Sequence, residues 1–241
     1  MKHLINSFLV LILATHSLFA FRQDINNFNQ QADKFLSKYV MKGNVDYKKL
    51  KENFTEIDNL YKSISTVNVK NISDNELKAF YINAYNIIVI HQITEYYPLK
   101  SALDRNGFFD KVKHDVAGER LTLDQIEKGK VILKFRDPRV HFAFSCAAAG
   151  CPELANFAFT PEKLEAQLEK RSANSINNPD FIRVDPDKKE VGLSMIFKWY
   201  GKEFTEENDN ILAYLNKYRT NKIPDNYSVV FYPYDWTLNA Q

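Results

Sequence analysis

The chain has 241 residues, 45% of them hydrophobic, and a formal net charge of +2. That is enough apolar material for a sizeable core. The near-balanced charge, with no basic stripe interleaved with aromatics, excludes a nucleic-acid partner. Two cysteines are too few for a disulfide scaffold, which leaves a single bridge or two thiols with a task.

Residues 1–20 differ from the rest. Lys2 and His3 precede an apolar run from Leu4 to Ala20, and charge returns only at Arg22. This is the form of a secretory signal peptide cleaved near Ala20, the alternative being an uncleaved N-terminal anchor, which the polar interruptions of the run disfavour. It implies a secreted or periplasmic protein with no membrane attachment after cleavage, since no later segment is apolar for long enough to span a bilayer.

The mature chain opens with two amphipathic helices. Ile25, Phe28, Ala32, Phe35, Leu36 and Tyr39 recur at helical spacing as far as Val40, and Gly43 ends the pattern. Leu50, Phe54, Ile57, Leu60, Tyr61 and Ile64 repeat it. Together they make an N-terminal layer over 21–72, ahead of an α+β domain over 73–241. Ser73-Asp74-Asn75-Glu76 has the S-x-x-E form that starts a helix. That helix runs to about Tyr96, stopped by Pro98. Its centre, FYINAYNIIVIHQI, is the most apolar helical stretch of the mature chain, interrupted by Asn83, Asn86 and His91. On a helical wheel Asn83 shares a rim with His91, while Asn86 lies further round, placed to serve backbone groups.

Val112, His114 and Val116, then Leu121 and Leu123 across Ala117-Gly118-Glu119, read as a hairpin. Thr122-x-x-Gln125 caps a short helix carrying Ile126 and Glu127. Val140 to Phe144 reads as a buried strand ending in Ser145-Cys146, followed by three alanines, Gly150 and Cys151-Pro152. Thr160-Pro161 opens a further helix. Phe181–Val184 and Val191–Leu193 pair across Asp185-Pro186-Asp187. Met195–Tyr200 and Asp209–Tyr218 are helical, and Val229–Tyr232 is a last strand leading into YPYDWTLN. The fold class is α+β, with a mainly antiparallel sheet packed against a long buried helix.

Cys146 at a strand end is the candidate nucleophile. On a straight strand His141 faces away from it, about 16 Å distant; only a bend would bring the two together. The base is therefore His91 from the central helix, with Asn83 or Glu127 orienting the imidazole and the Ala147–Gly150 amides binding an oxyanion. His91, His141, Cys146 and Cys151 have ligand types suited to zinc, but their spacing does not match a zinc knuckle. The site as read calls for neither metal nor cofactor.

The ordered segments FYINAYNIIVIHQI, LTLDQIEKGKVI, DPRVHFAFSCAAAGCPEL, LSMIFKWYGKEF and YPYDWTLN resemble the family labelled domain of unknown function 547 (DUF547), over about residues 76–239. The resemblance implies an α+β domain without a settled activity and points to Asn83, Asn86, His91, Glu127 and Cys146. Lys128 stands where that family often has histidine. A looser likeness is to papain-like cysteine hydrolases. Three functions are therefore expected: a thiol hydrolase or acyltransferase for a small-molecule or peptide amide or thioester; a binding module held by a Cys146–Cys151 disulfide; or a thiol redox protein. Trp236 is expected to be mostly buried. The oligomeric state is not encoded in any motif.

Overall fold

A computed structural model describes residues 24–241; the expected signal segment over 1–20 lies outside them. Helix α1 spans 24–39. A small hairpin, β1 (Val40–Met41) and β2 (Asn44–Val45), turns at Gly43, where φ is +79° and the chain needs a residue without Cβ. Helices α2 (Tyr47–Glu52) and α3 (Phe54–Ser63) follow; the one amphipathic stretch read from sequence is broken at Asn53.

Helix α4, Asp74–Tyr96, starts at the expected box: the Ser73 hydroxyl accepts from the Glu76 amide, and the Glu76 carboxylate accepts from the Ser73 amide. Every residue from Lys78 to Thr94 is buried. A helix enclosed on all faces is a core element. Its packing partners are α2, α3 and the stretch Gln125–Ile132. The expectation that a sheet packs on it is therefore corrected: helices cover it, and the sheets are small and separate. The hairpin β3 (His114–Val116) and β4 (Glu119–Leu121) forms as expected. Strands β5 (Ile182–Asp185) and β6 (Glu190–Leu193) are antiparallel, and β7 (Ser228–Phe231) adds in parallel to β6. The class is α+β.

Gln125–Ile132 is π-helical and continues into α5, Leu133–Phe135. The Thr122–Gln125 capping bonds form in both directions, at 2.9 and 3.2 Å. Helix α6 spans Leu164–Asn177. Two short helices, α7 (Met195–Trp199) and α8 (Gly201–Thr205), meet at Tyr200, and α9 spans Ile211–Tyr218.

Val140–Phe144 is not a strand. Pro138–Phe142 is a 3-10 turn, with Asp137 capping it by accepting from the Arg139 amide. A short apolar run fits a strand or a buried helical turn equally. Here Pro138 at the first helical position and the capping aspartate decide for the turn. Asp137 is further held by a two-pronged pair with Arg139 and by the buried Lys78 of α4. Burial alone would raise the Asp137 pKa, but Arg139 and Lys78 keep it below the ordinary carboxylate value.

Two hydrophobic cores result. The first runs from Ile25 to Leu168 and takes residues from both sides of position 72; the second gathers Phe142, Ile176 and the side chains from Phe181 to Ile223. Two asparagines of α4 tie irregular chain to the first core. The Asn86 amide donates to the Ala143 carbonyl and its oxygen accepts from the Ser145 amide, both at 2.9 Å. Asn83 does the same for both backbone groups of Phe159 and also donates to Asn29. Each side chain thus stands in for a strand edge that the sequence does not provide.

Removing the Asn86 amide leaves a buried N–H and a buried C=O without partners, each costing about 1–3 kcal/mol. Asn86→Ala is expected to lower stability by about 2–4 kcal/mol in urea denaturation. A loss under about 0.5 kcal/mol would show that the clamp contributes nothing.

Candidate functional site

The turn ending at Phe142 and the Asn86 clamp deliver Cys146 to a loop that folds against the C-terminal segment. Ala149 and Gly150 amides donate to the Thr237 and Asp235 carbonyls at 2.7 and 2.9 Å, and the Asn239 amide returns to Ala147. Gly150 has to be glycine for this approach: a Cβ there would sit 2.9 Å from the Asp235 nitrogen and 3.2 Å from the Tyr234 ring. Ala147 takes the left-handed conformation, φ 60°, which lets the chain reverse.

Within the loop Cys146 and Cys151 are joined as a disulfide, with Cα atoms 6.4 Å apart, inside the range such bridges adopt. Both cysteines are half-buried. The Cys146 amide donates to Cys151 Sγ at 3.0 Å. The Tyr234 hydroxyl lies 3.0 Å from Cys146 Sγ and 3.2 Å from Cys151 Sγ, and donates because a bridged sulfur has no proton. Burial, then the nearby Glu127, push the Tyr234 phenol well above its ordinary value. It therefore stays a donor at any physiological pH.

The bridge faces a cavity of about 580 Å³ that opens where the two cores meet. Tyr85, Phe144 and Phe109 line it from the first core's side. Ile196 and Tyr234 line it from the second's, Tyr200 packs against both cores, and Trp199 and Trp236 complete the wall. Two hollows of about 760 and 770 Å³ are larger. The first lies between α1 and α6 and holds no nucleophile or histidine. The second touches Cys151 but not Cys146.

Glu127 and His141 also line the bridge's cavity. The π-helical stretch turns Glu127 inward, where its carboxylate accepts from the Tyr200 hydroxyl at 3.1 Å and is hydrogen-bonded to Tyr85. Wide helical turns of this kind often sit at functional positions. Burial pushes the Glu127 carboxyl above its ordinary value, against the opposing pull of His141, Tyr200 and Tyr85. His141 is buried, its Nε2 bonded to Glu203 and its ring 4.1 Å from that of Tyr200.

The expected constellation is only partly assembled. Cys146 and Glu127 share the cavity. His91 does not line it: its Nε2 bonds Asp58 at 3.3 Å and its ring stacks on Tyr61 at 4.0 Å. Asn83 is committed to Phe159 and Asn29 and cannot orient an imidazole. The histidine that reaches the cavity is His141, excluded in the sequence reading by strand alternation. The 3-10 turn is the bend that this exclusion left open. The zinc set is likewise not gathered, and among the described residues no group of three or more His, Cys, Asp or Glu is placed to hold a metal. Trp236 has most of its surface covered, as expected. His141 was weighed and set aside, and Tyr234 was not read as a partner of the sulfurs; YPYDWTLN was conspicuous in sequence, but nothing local says that its second tyrosine meets a sulfur.

An α+β domain with a disulfide set in an aromatic cavity is the class that fold and site define. Residues 69–175 match the family described as "Protein of unknown function, DUF547". The match includes α4, Glu127 and the cysteine loop and stops before the aromatic blocks at 193–204 and 232–239, which supply Trp199, Tyr200 and Tyr234. No curated protein and no solved structure matches. The papain-like likeness finds no support, since the cysteine follows a turn rather than packing on a sheet against the helix that carries His91.

A buried histidine outside the cavity has a consequence for stability. Burial holds His114, whose Nδ1 bonds the Tyr61 hydroxyl, down to about 4. Unfolded, it takes a proton near 6.5. As pH falls from 6.5 to 4 the unfolded state binds the extra proton, so stability falls through that window, by up to about 3 kcal/mol. Denaturation measured against pH should show this slope, and a shallower one in His114→Gln. Identical slopes in both proteins would contradict the assignment.

Proposed function

We propose that this is a thiol–disulfide exchange domain whose redox centre is the Cys146–Cys151 bridge. The observation that carries the reading is the Tyr234 hydroxyl, placed within hydrogen-bond reach of both sulfurs on the wall of an open cavity. Structural bridges are sealed; exchangeable ones are reached by a thiol and have a stabilised leaving sulfur. Cys151 is that leaving sulfur, because the Cys146 amide donates to it alone, while the Tyr234 hydroxyl reaches both sulfurs.

A substrate thiolate attacks Cys146 Sγ. The Cys146–Cys151 bond breaks and its electron pair leaves on Cys151, whose thiolate the two donors stabilise. A second thiolate attacks the substrate sulfur of the mixed disulfide and releases Cys146. Two thiols are oxidised to one disulfide, and the protein gains two electrons and two protons. The reverse sequence oxidises the protein.

The domain is proposed to work outside the cytoplasm, supported by the export-like Leu4–Ala20 segment and by a half-buried bridge, which persists in oxidising compartments. Among the described residues no helix is long and apolar enough to cross a membrane. The partner is a small molecule that enters the cavity. Acyl transfer is the second reading, favoured by one observation: His141 and Cys146 line the same cavity. It needs the bridge opened first and His141, not His91, as base.

Equilibration with dithiothreitol couples, followed by alkylation and mass spectrometry, tests the proposal. The native bridge should reduce reversibly in one two-electron step, at a potential above the roughly −300 mV of structural disulfides. Tyr234→Phe should lower that potential by about 30–60 mV, since the donor favours the reduced form. A bridge that opens only on denaturation makes it a staple. Free thiols in the untreated protein, with Cys146 alkylating first, move the reading to acyl transfer.

A further inference from the structure

The charge and the ring faces of the cavity bear on which thiol it takes. Asp110, Asp124 and Glu127 line it, against the single ammonium of Lys128, which is already paired with Asp124 at 2.7 Å. His141 is bonded to Glu203. Glu127 has tyrosine hydroxyls and the His141 ring near it but is in none of the described ion pairs, and exposed Asp110 is in none either. The cavity lining thus carries more carboxyl groups than cationic ones, with Asp110 outside every described ion pair.

The opposite wall agrees with this. The rings of Trp199, Tyr234 and Trp236 cluster with centroids 4.8–6.1 Å apart, and Trp199 is 48% exposed. Elsewhere in the chain lysines and arginines sit over aromatic rings, as Arg183 does over Tyr232 and Arg105 over Tyr96. Among the described residues none sits over these three. A half-open π wall in a cavity lined by an excess of carboxyl groups is the surface chemistry that recognises an organic cation.

The cavity is also the route to the sulfur under attack, since Cys146 lines it and lines neither larger hollow. The hollow on the far side of Cys151 mixes Arg171 and Arg183 with Glu153, Asp180 and Asp235, and reaches only the leaving sulfur. We infer that the site selects a small thiol or disulfide that carries a positive charge: an aminothiol, with its ammonium between the Glu127 and Asp110 carboxylates and the Trp199–Tyr234–Trp236 wall and its sulfur on Cys146. This rests on the exchange reading and adds to it the charge of the substrate.

The test is the rate at which the full mature protein's bridge is reduced by three thiols of similar size: cysteamine, 2-mercaptoethanol and mercaptoacetate. Each rate is divided by the same thiol's rate on a small neutral disulfide, which cancels intrinsic reactivity. The expected normalised order is cysteamine, then 2-mercaptoethanol, then mercaptoacetate, with about tenfold between the extremes at low salt, the scale of unit charges a few ångströms apart in water. The spread should shrink by about half its logarithm at 1 M salt. It should also shrink in Asp110→Asn, a rim substitution with no packing cost, and in Glu127→Gln. Equal normalised rates for all three thiols overturn the charge selection and leave the exchange reading standing. A bridge that none of them reduces in the folded protein overturns both.

Discussion

An asparagine amide on a helix enclosed by the core has to find partners, and Asn86 finds them in the backbone of the segment that carries the cysteines. Its two bonds, to Ala143 and Ser145, hold that segment where no strand neighbours it. Asn83, three residues earlier on the same helix, holds Phe159 in the same way beyond the loop. The loop between these anchors is irregular, rich in alanine and closed by a disulfide, yet both of its ends are fixed to the most buried element of the fold. Everything at the site depends on that. Without the clamp, Cys146 would have no defined position relative to Tyr234, and the C-terminal segment would have nothing to pair with.

The site itself is a seam. One wall comes from the helical core around α4 and the other from the second core, through Ile196 and Tyr234, with Tyr200 packed against both. A cavity at such a junction can be lined by large aromatics because neither core needs all of their surface. The same junction explains why the polar groups there are tyrosine hydroxyls and a carboxyl with a raised pKa. Burial penalises charge, so Glu127 is met by Tyr200 and Tyr85, whose phenols stay protonated for the same reason. A disulfide placed among neutral donors is poised for a reaction in which negative charge appears on sulfur and needs somewhere to be held.

Much of this was legible in the sequence where the signal is local. The Ser73–Glu76 box, the apolar length of α4, the β3–β4 hairpin and the β5–β6 pair all follow from spacing and capping that act within a few residues. Asn86 as a partner for backbone groups was readable from its place on the wheel. Legibility ended where tertiary context chose between equal local options. Val140–Phe144 is apolar enough for a strand or a turn, and Pro138 with its capping Asp137 chose the turn. That one difference carried the site with it. On a strand His141 faces away and His91 becomes the base; on the turn His141 reaches the cavity, while His91 stays with Asp58 and Tyr61. The Tyr234–sulfur contact joins positions more than eighty residues apart, and no periodicity encodes it.

The account's central claim is that the two sulfurs are unequal, Cys146 being attacked and Cys151 leaving. Mapping the mixed disulfide measures this directly. Protein reduced and then treated briefly with a limiting small disulfide, quenched in acid and digested, shows by mass spectrometry which cysteine carries the adduct; Cys151→Ser and Cys146→Ser variants trap each in isolation. The account predicts the adduct on Cys146, stable in Cys151→Ser and resolved within the wild-type pair by Cys151. An adduct confined to Cys151, or divided equally between the two, would contradict it.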